Sequence, residues 1–520
     1  MFAGKDTHNE TAKQCIADLR VTDPRHDKRR IEAMKGSLLR GSYAWVLNNP
    51  EFCQWRKNTD QRLLWVKGDP GKGKTMLLCG IIDELENMPA EGQAVSYFLF
   101  HATDKRINTA TAALRSLIYM LLERDASLIP HVEKQHAAAG KALFEDTNSW
   151  QALCEIFDNI LQDCSLHRVI LVIDALDECL QGLPAFLDLV VRTSRTSTAK
   201  WLISSRNWPQ IEEPLSEVAY KLSLEINATS VTEALNIFVE QRVSKLAQRK
   251  NYRDHIAEEL QYYLSSNADG TFLWVALVCQ ELESSYSWNV LQKIKSFPSG
   301  LDALYQRMME QTLASEETES CKQILALVLT TYSPPSLSEL MTLVEKSSRM
   351  GTDRSMLQGV ISLCGSFLAV REDKVYLIHQ SAKDFLMKSH TLELFPEGQL
   401  TIHSQILENS FTAMSSILKR DIYDLHDPGF PIDKAKPPTP DPLSTVGYCC
   451  IYWVTHLVET IANRDEGIIT HHGEIANSFL RNKALCWVEA LSLLHGISDS
   501  MIALQSLKQC IQVCSYKSVL

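Results

Sequence analysis

The sequence predicts an α/β domain, a parallel five-stranded sheet covered by helices, followed by segments that are almost entirely helical. Three observations carry this. Between about 62 and 224, strand-like apolar runs alternate with amphipathic helical stretches, the order that builds a parallel sheet. One run, Val169-Ile170-Leu171-Val172-Ile173, is apolar throughout, as a strand buried on both faces must be. After Asn227 the strand signal nearly vanishes and helical periodicity takes over.

In chain order, residues 1–60 read as a polar, mostly helical lead-in. Its basic cluster (Arg25, Lys28, Arg29 and Arg30, with Asp23 and Asp27 among them) reads as a solvated helix face, with anion steering as the alternative. Residues 61–226 form the α/β domain. Its expected strands are 62–67, 95–101, 168–173, 200–204 and 219–224, and its expected helices 74–86, 108–123, 150–162 and 183–193. Helices at 229–250, 254–265 and 271–285 make a helical domain, 227–300. Helices at 301–313 and 320–332 open a unit at 301–392, with Pro298 and Pro334-Pro335 as punctuation. That unit closes on a hairpin, Ser366 to Arg371 and Lys374 to His379 across Glu372-Asp373, which suits a winged helix. Residues 393–520 are helical, with a proline- and aspartate-rich linker near 427–442. No internal repeat of about 20–50 residues is visible.

Bulk properties narrow the class. The chain has 520 residues, too many for one core. A net charge of −11 argues against general nucleic-acid binding. No apolar run approaches the ~18–20 residues that span a bilayer, and Met1 to Asp6 lacks a secretory apolar stretch, so a cytoplasmic location is expected. The 14 cysteines are scattered. Neither Cys449-Cys450 nor the pair Cys510 and Cys514 has partners at zinc-like spacing. His471-His472 reads as a solvated turn.

The chemistry centres on Gly68-Asp69-Pro70-Gly71-Lys72-Gly73-Lys74-Thr75, which fits G-x-x-x-x-G-K-[ST] between an expected strand and an expected helix. The glycines let backbone N–H groups face phosphate oxygens, and the helix N-terminus adds to the attraction. Lys74 would reach the β- and γ-phosphates, and Thr75 would sit on Mg²⁺. The expected strand 168–173 ends at Asp174, where a carboxylate faces the ligand crevice of an open α/β sheet and would hold Mg²⁺. Asp177 or Glu178 could activate the attacking water, or simply favour a helix start. The strand 200–204, expected beside that of Asp174, runs into Arg206. Arg206 could sense a third phosphate or pair with a local acid. His379 opens a helix after the hairpin, as a cap, a core residue or a donor to a β-phosphate.

Together these phrases resemble the NACHT class of STAND nucleotide-binding proteins, of the NOD-like receptor type. The nearest set is that of filamentous fungi, whose core is described as a nephrocystin-3-like N-terminal domain. The resemblance is carried by the P-loop phrase from Leu63, the Asp174-Ala175-Leu176-Asp177-Glu178-Cys179 box, Asp23-Pro24-Arg25, Lys35-Gly36, Ile203-Ser204-Ser205-Arg206, Phe272-Leu273-Trp274-Val275 and His379-Gln380-Ser381. It covers roughly residues 20–390. It implies an NTPase core of the additional-strand type, and a helical domain and winged helix that close over ADP, with His379 touching it. ATP and ADP with Mg²⁺ are the implied ligands, GTP is not excluded, and NTP hydrolysis is slow at most. The implied role is a signalling switch in innate immunity or heterokaryon incompatibility. On activation it would form a homo-oligomer or a hetero-assembly with related NACHT proteins. A nucleotide-binding scaffold or truncated regulator of full-length relatives is the alternative, and an ordinary P-loop ATPase or kinase a further one. About 20 residues precede the shared region and no repeat array follows it. An effector and a sensor are therefore expected to be missing.

Overall fold

The computed structural model describes residues 12–508, apart from 36–37, 88–92, 147, 167, 284, 345–348, 352, 428, 463–465, 498–499, 502 and 506–507. Cys510, Cys514 and the first eleven residues lie outside the described residues. The chain divides into two compact units between Leu304 and Tyr305.

The first unit is built on five parallel strands, β1 (Leu63–Lys67), β2 (Gln93–Leu99), β3 (Arg168–Asp174), β4 (Lys200–Ser205) and β5 (Ala219–Ser223), in the order β2-β3-β4-β1-β5. β4 therefore lies between the strand that leads into the glycine loop and the strand that ends in Asp174. Parallel register aligns their C-terminal ends: Lys67 sits opposite Ser205, and Ile173 opposite Ile203. The connecting helices include α2 (Lys74–Asn87), α3 (Ala110–Arg124), α4 (Pro130–Ala139), α5 (Ser149–Leu161) and α6 (Leu183–Thr196). Trp65, Trp201, Phe157 and Phe186 are fully buried between the layers. The Phe186 and Trp201 rings meet edge to face at 6.3 Å. Truncating any one of these would cost about 3–5 kcal/mol.

Helix α1 (Pro24–Lys35) is fastened to this sheet layer. The expectation of a solvated basic face holds for Arg29, which is exposed, but not for Lys28, which is buried with Asp27. Lys28 Nζ lies 2.6 Å from both Glu32 and Asp83, and Arg30 pairs with Asp27 at 3.0 Å. Arg25, Lys28 and Arg30 are each paired with acids, one of them, Asp83, on α2. Close packing continues at Gly80, where a Cβ would fall 2.3 Å from the Tyr43 ring. The helices that follow β5 in this unit include α7 (Ala228–Lys250), α8 (Asp254–Asn267) and α9 (Phe272–Glu283).

The second unit begins within the helix Leu301–Leu313 and continues with α10 (Thr318–Thr330), α11 (Leu337–Leu343) and α12 (Arg354–Leu363). A hairpin of β6 (Leu368–Arg371) and β7 (Lys374–Leu377) follows. Its two-residue turn uses Glu372 and Asp373, both at positive φ, as a tight hairpin with the natural strand twist requires. Backbone bonds from Leu337 to Asp373 and from Val375 to Pro335 tie the hairpin to the start of α11. Helices α13 (Gln380–Ser389), α14 (Gln399–Ile417), α15 (Gly447–Ala462) and α16 (Glu466–Leu493) complete the all-helical part. His471 and His472 lie within α16, not in a turn, and His472 is buried. Between α14 and α15, His403 Nδ1 meets His456 Nδ1 at 2.8 Å, and His456 Nε2 meets the Tyr448 hydroxyl at 2.8 Å.

Candidate functional site: a glycine loop at the C-terminal edge of the sheet

The loop from Gly68 to Gly73 leaves β1 at the carboxyl edge, where Gly68 N donates to Ser205 O of β4 at 3.3 Å. Gly71 and Gly73 adopt positive φ of 77° and 86°, which only glycine takes at little cost. Lys74, the first residue of α2, folds back so that Nζ donates to the carbonyl of Gly68 at 2.5 Å and of Asp69 at 2.9 Å. Burial draws its pKa down to about 8, against the nearby Asp177 and Asp174, which favour the charge. An anion entering the loop would restore that charge, so phosphate binding and Lys74 protonation reinforce one another.

Asp174 ends β3 buried, and Ser204 Oγ donates to its carboxylate at 2.5 Å. The same Ser204 Oγ accepts from Ala175 N at 2.9 Å. Ala175 is held in the left-handed region at φ 52°, a conformation that costs a non-glycine residue roughly 1–2 kcal/mol. That turn brings Asp177 and Glu178 back over the strand ends. Asp177 accepts from Arg206 N at 3.0 Å and pairs with Arg206 Nε at 2.9 Å. Arg206 is thus buried on an acid of the same site, and burial raises the Asp177 pKa. Glu178 accepts from Ala102 N at 2.8 Å. Burial, helped by the charge of Asp177, pushes its carboxyl up to about 7. Lys74, Thr75, Asp174, Asp177, Glu178 and Arg206 therefore converge at one edge of the sheet.

The donor set fits Mg²⁺. A threonine hydroxyl and a carboxylate are the hard oxygen ligands that this ion takes alongside phosphate and water.

His379 lies in the second unit and caps α13, its Nδ1 accepting from Ser381 N at 3.1 Å. Three features of the site are not legible in the sequence. Glu225, just beyond β5, accepts from Asp69 N at 2.7 Å and so holds the loop's shoulder. Lys35 donates to Thr75 Oγ1 at 2.8 Å. The start of α9 lies on the loop: Lys72 Nζ donates to Asp269 O at 2.7 Å, Leu273 N to Gly71 O at 3.4 Å, and the Phe272 ring covers Gly73. A Cβ at Gly71 would meet the Thr271 methyl at 2.7 Å, so the glycine is needed for this approach as well as for its φ.

A glycine loop on β1, an acid at the end of β3 and a strand between them define a P-loop NTPase fold of the additional-strand type, followed by an all-α region. Residues 41–206 match the family described as Nephrocystin 3, N-terminal. The vegetative incompatibility protein HET-E-1 of Podospora anserina is 49% identical over an alignment of 514 residues that covers 95% of this chain and 38% of that protein. The chain is thus similar, over the matched residues, to fungal proteins of the NACHT type. It spans a little over a third of the length of that relative. Among solved structures, the Walker-type ATPase PABY2304 of Pyrococcus abyssi aligns with 67% of this chain and 96% of its own at 12% identity, with a TM-score of 0.33. A single-residue mutant of Thermotoga maritima RuvB aligns with 67% and 94% at 15% identity, with a TM-score of 0.25.

Proposed function

We propose that this chain is a nucleotide-controlled switch of the STAND type, which binds ADP or ATP with Mg²⁺ and hydrolyses the triphosphate slowly. The observation that carries this reading is the seating of residues 269–273 on the P-loop. A segment bonded to Gly71 and Lys72 would feel whatever enters the loop. A switch requires contacts that differ between its two ligand states.

The residues divide the work. Backbone N–H groups of Gly71 to Thr75 and the Lys74 ammonium would hold the phosphates. Thr75 and Asp174 would hold Mg²⁺, which supplies charge neutralisation on the phosphate oxygens. Glu178, with a carboxyl near neutrality, is suited to take a proton from water, more so than Asp177, which is bound to Arg206. Arg206 would sense the third phosphate by leaving Asp177. That exchange has a cost, which accords with slow turnover. His379 is the proposed contact from the second unit that favours ADP.

The role that the fungal relative's name carries, vegetative incompatibility, suggests a signalling output of that kind, with assembly of several copies or of related chains on activation. A non-catalytic scaffold is the second reading, favoured by the Arg206–Asp177 pair, which engages two candidate catalytic groups with each other. The test is isothermal titration of the full chain and of Lys74→Ala with ADP, ATP and GTP, together with identification of the nucleotide that co-purifies. Retained ADP, and loss of binding in the variant, are expected. Unchanged affinity in Lys74→Ala would reject the site, and absence of turnover with intact ATP binding would favour the scaffold.

A further inference from the structure

The roles given above leave the Lys35 ammonium unassigned. Helix α1 ends at Lys35, and its Nζ donates to the Thr75 hydroxyl at 2.8 Å, across 40 positions of sequence. A lysine in the last turn of a helix is ordinary, because it complements the negative end of the macrodipole. That preference does not direct its ammonium onto the hydroxyl offered to a divalent cation.

The backbone beneath this lysine is held from two sides. On one side, Lys28 and Arg30 fasten α1 to Asp83 and, at 3.5 Å, to Asp104. On the other, the Lys35 carbonyl accepts from Arg242 of α7 at 3.1 Å. Arg242 also lies over the Phe238 ring at 5.0 Å, and Phe238 packs on Phe272, the ring that covers Gly73. The helix end is thus built into the surroundings of the loop, while the Lys35 side chain itself is exposed.

Resting on the nucleotide-site reading above, we propose that Lys35 and the divalent cation exchange at Thr75. The ammonium holds the hydroxyl in the metal-free protein and yields it when the metal arrives with nucleotide. Both positive groups are drawn to the same hydroxyl oxygen, and like charges a few ångströms apart repel. Lys35 therefore sets the metal concentration at which nucleotide is held in its metal-bound form. It also keeps a positive charge beside the phosphates when metal is scarce.

The experiment is isothermal titration of ADP into the full chain and into Lys35→Met, with Mg²⁺ varied from an EDTA-treated sample to millimolar levels. Lys35→Met is expected to reach half of its metal-dependent gain in affinity at about fivefold lower Mg²⁺, the scale of one exposed charge pair. It is also expected to bind ADP several-fold more weakly in EDTA and as tightly as the parent at saturating Mg²⁺. Lys35→Arg, which keeps the charge, should follow the parent. A Lys35→Met curve superimposed on the parent's overturns the exchange. So does an equal loss at every Mg²⁺ level, which would make Lys35 a simple phosphate contact. Absence of ADP binding by the parent chain at any Mg²⁺ level would bring down the nucleotide-site reading itself. Parent binding with an unaltered variant brings down the exchange alone.

Discussion

Replacing Glu178 by glutamine tests the chemistry of the site through a quantity that needs no nucleotide. Burial holds the Glu178 carboxyl at about 7 in the fold, against 4.5 when free. An acid with a raised folded pKa favours the fold fully below pH 4.5. That advantage is lost as pH rises towards 7, because the unfolded chain then releases a proton that the folded chain keeps. The shift corresponds to about 3 kcal/mol at most, reached above pH 7. Glutamine keeps the shape and an acceptor for Ala102 N and removes the ionisation. The Glu178→Gln protein should therefore gain stability relative to the parent as pH rises from 5 to 8. For a unit of this size, that is several degrees in melting temperature. Thermal unfolding of both proteins across that range, without nucleotide or metal, is the assay. A melting difference that does not change with pH would show that Glu178 is not held protonated by burial. In the same variant, ATP turnover should fall by about 10²–10⁴ while ATP affinity is kept.

Further outcomes follow from other parts of the molecule. Gly80→Ala drives a methyl into the Tyr43 ring, whose hydroxyl is bonded to Glu84 at 3.2 Å, and should destabilise the first unit by about 1–3 kcal/mol or more in denaturant titration. His403 is held neutral by burial, its pKa drawn down to about 4 from 6.5. The second unit should accordingly lose up to about 3 kcal/mol as pH falls from 6.5 to 4, and His403→Gln should flatten that dependence in pH-resolved unfolding. His379→Ala should weaken ADP more than ATP in titration calorimetry, and equal losses would remove this residue from the nucleotide site.

The fold is largely legible in the sequence because its signals are local. All five strands appear within two residues of their expected positions, since β1 to β4 are buried along nearly their whole length and leave short apolar runs, broken in β2 only by Ser96. Helix α4 leaves little signal. Its alanines and histidines carry no clear stripe, and only Val132 and His136 are buried. The glycine loop and Asp174 are equally readable, because each is a short phrase placed at a strand end. The pairings within the site are not. Arg206 with Asp177, Glu225 with Asp69, and Lys35 with Thr75 join single polar residues 29, 156 and 40 positions apart, where no periodicity marks a partner. The basic cluster on α1 misleads for the same reason, since the burial of Lys28 depends on Asp83, 55 positions away.

The central claim is that nucleotide in the P-loop is felt by the helical segment lying on it. Hydrogen exchange at the amides of residues 271–283 measures this directly, Leu273 N being the one bonded to Gly71 O. The account predicts strong protection with ADP and Mg²⁺, reduced protection with a non-hydrolysable ATP analogue, and no response to either in Lys74→Ala. Identical protection with the two nucleotides, although both bind, would contradict it.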